Sequence, residues 1–173
     1  IELKKKEFKN FELINNKRVI ISAGRLTKQK NFSYLIDEFS KFSESNSNFI
    51  LVILGEGEER KKLEAIIKKK QMQNKIYLFG YVDNVYSFFD KAEIFVLSSL
   101  WEEVGFVIVE AAISNLFVIS SNCPNGPSEF LEDGKRGILF ESNKKNALSN
   151  AFKDYLKLKD IQTKKINLKK NSM

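Results

Sequence analysis

The sequence predicts an α/β protein: a Rossmann-like open parallel sheet with helices on both faces. Three observations predict it. Short, wholly apolar runs such as Phe49-Ile50-Leu51-Val52-Ile53-Leu54 and Ile94-Phe95-Val96-Leu97 lack the alternation of a one-sided strand, which marks strands buried on both faces. These runs alternate along the chain with amphipathic segments of helical spacing, the signature of successive βαβ units. Most of the 8 glycines fall just after the runs, where each strand of such a sheet turns toward its helix.

Residues 1–16 are polar and rich in Lys and Asn, with Phe8, Phe11 and Leu13 interspersed, and read as a linker or approach segment. Val19-Ile20-Ile21 is a first strand, ending at Gly24. A helix then runs through Tyr34-Leu35-Ile36-Asp37-Glu38-Phe39, with Asn31 or Ser33 as its cap. Phe49 to Leu54 is a second strand, closed by Gly55-Glu56-Gly57, and a charged helix follows from about Glu58 to Lys70. Ile76 to Phe79 is a third strand, ending at Gly80, with a short helix from Val82 to Asp90. Ile94 to Leu97 is the fourth, followed by a small polar turn and an almost wholly apolar segment, Phe106 to Ala112, that reads as a buried helix. Phe117 to Ser120 is a fifth strand, Ser128 to Leu131 a short helix, and Gly137 to Phe140 a last strand. A helix from Lys144 to about Leu158 closes a domain spanning 17–158, and 159–173 reads as a frayed, Lys-rich tail.

A chain of 173 residues fits one domain, and 43% hydrophobic content supplies a core. No apolar run approaches the roughly 20 residues that span a bilayer, and Ile1-Glu2-Leu3-Lys4 has no signal-peptide core. Without a starting Met the chain reads as a piece of something longer. The single cysteine, Cys123, excludes an internal disulfide framework and makes the cytoplasm the default compartment. The absence of His removes the commonest general base and zinc ligand, so chemistry here relies on carboxylates or on another domain. The net charge of +7 admits three readings: a solvated lysine-rich surface, contact with an anionic membrane surface, and nucleic-acid binding. The basic residues are spread along the chain and most Phe lie in core-like runs, so nucleic acid ranks last and is not expected as a partner.

Ligands of an open parallel sheet bind beyond the carboxyl ends of its strands. The residues gathered there include Gly24, Arg25 and Lys30 after the first strand, Tyr81 after the third, and Ser98 to Gly105 after the fourth. Arg25 offers a planar fork and Lys30 a point charge for a diphosphate. Cations flanking a helix start are otherwise poorly placed, because that end of the dipole is already positive. Glu102 precedes a helix, where a carboxylate is also a common N-terminal charge preference, a role Glu103 could fill. Glu110 lies among Phe106, Val107, Ile108, Val109, Ala111 and Ala112, and a carboxylate in a buried helix needs donors: a ribose diol, backbone N–H groups or an Arg. Gly55-Glu56-Gly57 is too short and too acidic for a phosphate loop, Trp101 packs at the rim or touches a ligand, and Cys123 beside Pro124 is structural. Cations for phosphate and carboxylates for hydroxyls on one rim point to a nucleotide sugar.

Several motifs, in this order and spacing, resemble the family 4 retaining glycosyltransferases. They are Gly24-Arg25-Leu26 with Lys30-Asn31, Gly55-Glu56-Gly57, Phe79-Gly80-Tyr81, Glu102-x7-Glu110-Ala111-Ala112, Cys123-Pro124-Asn125-Gly126-Pro127-Ser128-Glu129, and Gly134 with Gly137-Ile138-Leu139. The resemblance covers about Arg18 to Leu158 and implies the C-terminal, donor-binding half of a two-domain GT-B enzyme. It implies that Arg25 and Lys30 hold the donor diphosphate, that Glu110 holds the ribose, and that Glu102 contacts the transferred sugar near the reacting centre. Backbone N–H groups of Gly105, Phe106 and Val107 would meet sugar and phosphates, and Gly80-Tyr81-Val82 would lie against the base. It further implies UDP as the carrier, a hexose or N-acetylhexosamine as the sugar, and a cell-surface or lipid-linked acceptor. The acceptor would be held by an N-terminal domain outside this chain, without which transfer is not expected. No metal and no other cofactor is implied.

The chain departs from the family at Glu102-Glu103-Val104-Gly105, where the family usually has Gly or Ser at the second position and Phe at the third. A charged side chain there bears on sugar contact and donor choice, and favours the alternative of a non-catalytic nucleotide-binding or interaction domain of the same fold. On the catalytic reading, Lys30→Ala is expected to abolish transfer with stability unchanged.

Overall fold

A computed structural model describes residues 12–103 and 105–170, with side chains as far as Lys159. The expectations for residues 1–11 and for Val104 therefore lie outside the described residues. Six parallel strands form one sheet: β1 (Arg18–Ala23), β2 (Phe49–Leu54), β3 (Ile76–Gly80), β4 (Ile94–Leu97), β5 (Phe117–Ser121) and β6 (Ile138–Phe140). Their order is β3-β2-β1-β4-β5-β6, so the winding reverses between β1 and β4. The helices are α1 (Phe32–Ser43), α2 (Arg60–Lys69), α3 (Tyr86–Phe89), α4 (Phe106–Ile113), α5 (Pro127–Phe130) and α6 (Ala147–Lys170). Among the described residues no helix is long and apolar enough to cross a membrane.

The unbroken apolar runs sort by strand periodicity. In β2, Phe49, Leu51 and Ile53 pack with α1, α2 and α6 on one face. The intervening Ile50, Val52 and Leu54 pack with α3 and α4 on the other. All six residues of β2 and all four of β4 are buried, as strands covered on both sides must be. On the first face Phe42 lies at 4.9 Å from Phe152 and 5.2 Å from Phe49, ring centre to ring centre, and ties α1 and α6 to the sheet.

Several expectations change. Ile14, inside the stretch read as an approach segment, is buried in the second core. The helix expected over Val82 to Asp90 forms only at Tyr86–Phe89. Asn84 stops it, because its Oδ1 accepts from the Tyr86 N–H (3.1 Å) and its carbonyl from the Ser87 hydroxyl (2.8 Å), replacing helical pairing with a side-chain turn. Asn31 takes the N-cap position of α1, one of the two expected, but its side chain makes no capping bond. Asn31 is left-handed (φ 52°), closes the short 3-10 turn Lys28–Lys30, and sends its amide to Asn143. The backbone of α6 is helical through Lys170 where a frayed tail was expected past Lys159. α4 is not a buried helix: Phe106 and Ile113 are 71% and 70% exposed, and only Ile108 and Ala111 are buried.

Candidate active site

The reversal between β1 and β4 splays the connections at their carboxyl ends and opens a cleft, as such switch points do. The loop after β1 and the loop after β4 are stapled across it. The Ser98 hydroxyl donates to the Lys30 carbonyl (2.8 Å), the Leu100 N–H to the Gln29 carbonyl (2.8 Å), and the Gln29 amide to the Trp101 carbonyl (2.9 Å). These bonds set Lys30 against Glu102. The Lys30 ammonium donates to Glu102 Oε1 at 2.6 Å, with the two side chains only 15% and 6% exposed. Ser99 donates its hydroxyl to the same oxygen at 2.5 Å. A charge this far from water needs such a partner.

A cavity of about 710 Å³ opens beside the pair. The predicted residues Gly24, Arg25, Lys30, Glu102, Gly105, Phe106, Val107 and Glu110 all line it. The predicted Tyr81 and Val82 do not. They line a neighbouring cavity of about 350 Å³ that shares Ala23, Gly24, Arg25 and Val85 with the first, so the two form one groove along the ends of β1, β3 and β4. Tyr81 is 67% exposed, while Val82 is buried.

The charges differ from the simple opposition read in the sequence. Lys30 and Glu102 neutralise each other, and Arg25 is exposed and makes no ion pair among the described residues. Glu110 keeps its place in the cleft but not for the reason inferred: it is half-exposed on an exposed helix, and no described residue donates to its carboxylate. Gly105 adopts the left-handed conformation (φ 64°) that starts α4 and leaves the first N–H groups of the helix at the cleft. Gly55 serves close approach: a Cβ there would lie 2.0 Å from the Gly24 carbonyl oxygen, so a side chain would displace the loop that carries Arg25.

Thr27, Gln29, Val85, Trp101 and Glu103 also line the cleft. Trp101 was singled out in the sequence as a rim residue within reach of a ligand, and Glu103 as the departure from the family pattern. Thr27, Gln29 and Val85 carry no local signal, since their position follows from the stapling of the loops and from the late start of α3. Cys123 is buried, and burial pushes its thiol up, against a hydrogen bond with Ser121 that lowers it. Among the described residues no group of three or more Cys, Asp or Glu side chains is arranged to hold a metal.

A family model described as glycosyl transferases group 1 matches residues 4–172. An uncharacterized glycosyltransferase of Methanocaldococcus jannaschii is 40% identical over 126 residues, 73% of this chain and 30% of that protein. The N-acetylgalactosamine-N,N'-diacetylbacillosaminyl-diphospho-undecaprenol 4-alpha-N-acetylgalactosaminyltransferase of Campylobacter jejuni is 31% identical over 139 residues, 80% of this chain and 37% of that protein. The chain thus spans about a third of the length of these relatives. Among solved structures, S. aureus TarM in complex with UDP superposes with a TM-score of 0.75 at 25% identity, over 79% of this chain and 28% of that one. The C-terminal domain of a glycosyl transferase group 1 family protein from Francisella tularensis superposes with a TM-score of 0.75 over 90% of this chain and 82% of that one, a likeness of fold at 22% identity. The chain belongs to the glycosyl transferases of group 1.

Proposed function

We propose that this chain is the donor-binding half of a retaining glycosyltransferase of family 4, which moves a hexose or N-acetylhexosamine from UDP to a cell-surface or lipid-linked acceptor. The observation that carries the reading is the Lys30–Glu102 pair at the strand-order reversal, with Arg25 and Glu110 in the same cleft. A nucleotide sugar matches this arrangement along its length. The base lies in the smaller cavity by Tyr81 and Val82, and the ribose hydroxyls donate to Glu110. The diphosphate takes Arg25, the open side of the Lys30 ammonium and the first N–H groups of α4. The sugar then reaches Glu102. The UDP of the TarM structure supports the choice of base, and the lipid-linked substrate in the name of the Campylobacter relative supports the acceptor class.

In the transfer, the bond between the anomeric carbon and the diphosphate oxygen breaks. The acceptor oxygen bonds that carbon on the same face, and the acceptor proton passes to the departing phosphate. Arg25 and Lys30 stabilise the charge that grows on the diphosphate, in the place a metal would otherwise take. The acceptor is held by a second domain outside these residues, so the chain alone binds donor and transfers nothing. Its basic surface suits contact with an anionic membrane at the cytoplasmic face.

Calorimetric titration with UDP and GDP tests the reading. UDP binding that weakens about tenfold or more in Arg25→Ala and in Glu110→Ala is expected from the loss of charge-assisted hydrogen bonds. A folded chain that binds neither nucleotide overturns it.

A further inference from the structure

Ser99 lies just past β4, is wholly buried and does not line the cleft. Its carbonyl is held by two hydroxyls, Ser121 Oγ at the end of β5 (2.7 Å) and Ser142 Oγ in the connection after β6 (3.3 Å). Its own hydroxyl donates to Glu102 Oε1, the oxygen that also takes the Lys30 ammonium. One carboxylate oxygen is thereby saturated by two donors. Glu102 Oε2 receives no hydrogen bond from any described residue, and the side chain borders the cleft. Without Ser99, either oxygen could turn to Lys30 and the carboxylate could rotate about its terminal bond, a torsion that is broad and two-fold by nature.

We propose that Ser99 is a positioning residue. Anchored by Ser121 and Ser142, it locks the Glu102 carboxylate so that Oε2 alone is offered to a hydroxyl of the transferred sugar. The proposal rests on the donor-binding reading above and adds a residue outside the cleft to it. A buried serine whose hydroxyl merely satisfies itself on a nearby carboxylate would produce the same bond length, so the test must separate positioning from packing.

The readout is the ratio of UDP-sugar to UDP affinity, measured by calorimetry on this chain with UDP-glucose, UDP-galactose and their two N-acetylamino counterparts. For the best-bound sugar, Ser99→Ala lowers the ratio about tenfold with UDP affinity unchanged, the scale of a lost hydrogen bond to a charged group. Ser99→Cys, which keeps the volume and a weaker donor, gives an intermediate ratio and serves if the alanine variant fails to fold. In a Glu102→Ala background Ser99→Ala lowers the ratio no further, since a residue acting through another loses its effect when that one is gone. An unchanged ratio in Ser99→Ala and Ser99→Cys, an equal loss for UDP and UDP-sugar, or additive losses with Glu102→Ala overturns the proposal. A wild-type chain that binds no UDP overturns the donor-binding reading itself, and the positioning role with it.

Discussion

Lys30 is committed on one side to Glu102 and borders the cleft on the other. This alters what its removal does. Lys30→Ala strands a nearly buried carboxylate with Ser99 as its remaining donor, so stability falls by about 2 kcal/mol, below the full cost of breaking a buried pair because water reaches the site from the cleft. The expectation of unchanged stability is thereby revised. Urea unfolding checks it, and Lys30→Ala with Glu102→Gln recovers part of the loss because no charge is left unpaired. Two glycines in the site both take positive φ, and only Gly55 also sits hard against neighbouring backbone. Around Gly105 a Cβ would meet nothing nearer than 3.9 Å, so Gly105→Ala costs only the left-handed backbone, about 1 kcal/mol. Gly55→Ala must move the Gly24 carbonyl, and is predicted to be the more destabilising of the two and to weaken UDP binding through Arg25; unfolding curves and calorimetry on both variants check this. The residues that line the cleft were legible because strand ends and glycines mark them. The ion pair was not, because positions 30 and 102 meet only through the stapled loops.

At the scale of elements, α6 is started by a residue far from it in the chain. Glu38 of α1 is buried, and its carboxylate accepts the N–H groups of Asn146 and Ser149 (both 3.1 Å) and the Lys41 ammonium (2.5 Å). Burial pushes the Glu38 carboxyl up, and these donors more than offset it, leaving it below the ordinary carboxylate range. Tyr34 adds a second tie, donating to the Lys144 carbonyl at 2.7 Å and accepting the Leu148 N–H at 3.3 Å. Burial raises its phenol to about 12. Glu38→Ala leaves two backbone donors at the start of α6 unmet and is predicted to cost about 2 kcal/mol, with Glu38→Gln costing less because its amide oxygen still accepts; urea midpoints of the two variants check this. This remote cap explains why the helix begins at Ala147 and not at the expected Lys144. Asn143 and Asn146 take positive φ, and the cap comes from 108 positions upstream, beyond the reach of any local capping signal. The strands, by contrast, were legible almost to the residue, because unbroken apolar runs bounded by glycines leave few alternatives.

For the molecule as a whole, the end of the sheet opposite the cleft is closed by Glu93. Its carboxylate accepts Arg18 Nε (2.8 Å) and Nη2 (2.5 Å), the Tyr155 hydroxyl (2.7 Å) and the Lys159 ammonium (2.5 Å), joining β1, β4 and α6. Burial alone would raise the Glu93 carboxyl, but the bonds from Arg18, Lys159 and Tyr155 bring it down to about 2. A carboxyl lower in the folded than in the unfolded state binds fewer protons when folded. Its stabilisation is therefore complete above the ordinary value near 4.5 and is lost as pH falls toward 2. Urea midpoints between pH 5 and 2.5 should show a slope worth on the order of 2 kcal/mol that Glu93→Gln removes. By itself the sequence determined the class of the protein, its alternating elements and the residues that face one rim, because burial on both faces and the turn that follows each strand are written in residue type. Only the tertiary structure decided that the order of strands reverses between β1 and β4, that Lys30 and Glu102 meet there, and that α4 is exposed. Those outcomes depend on which strands pair and which helices cover them, and pairing across the sheet is a balance of contacts between residues far apart in the chain.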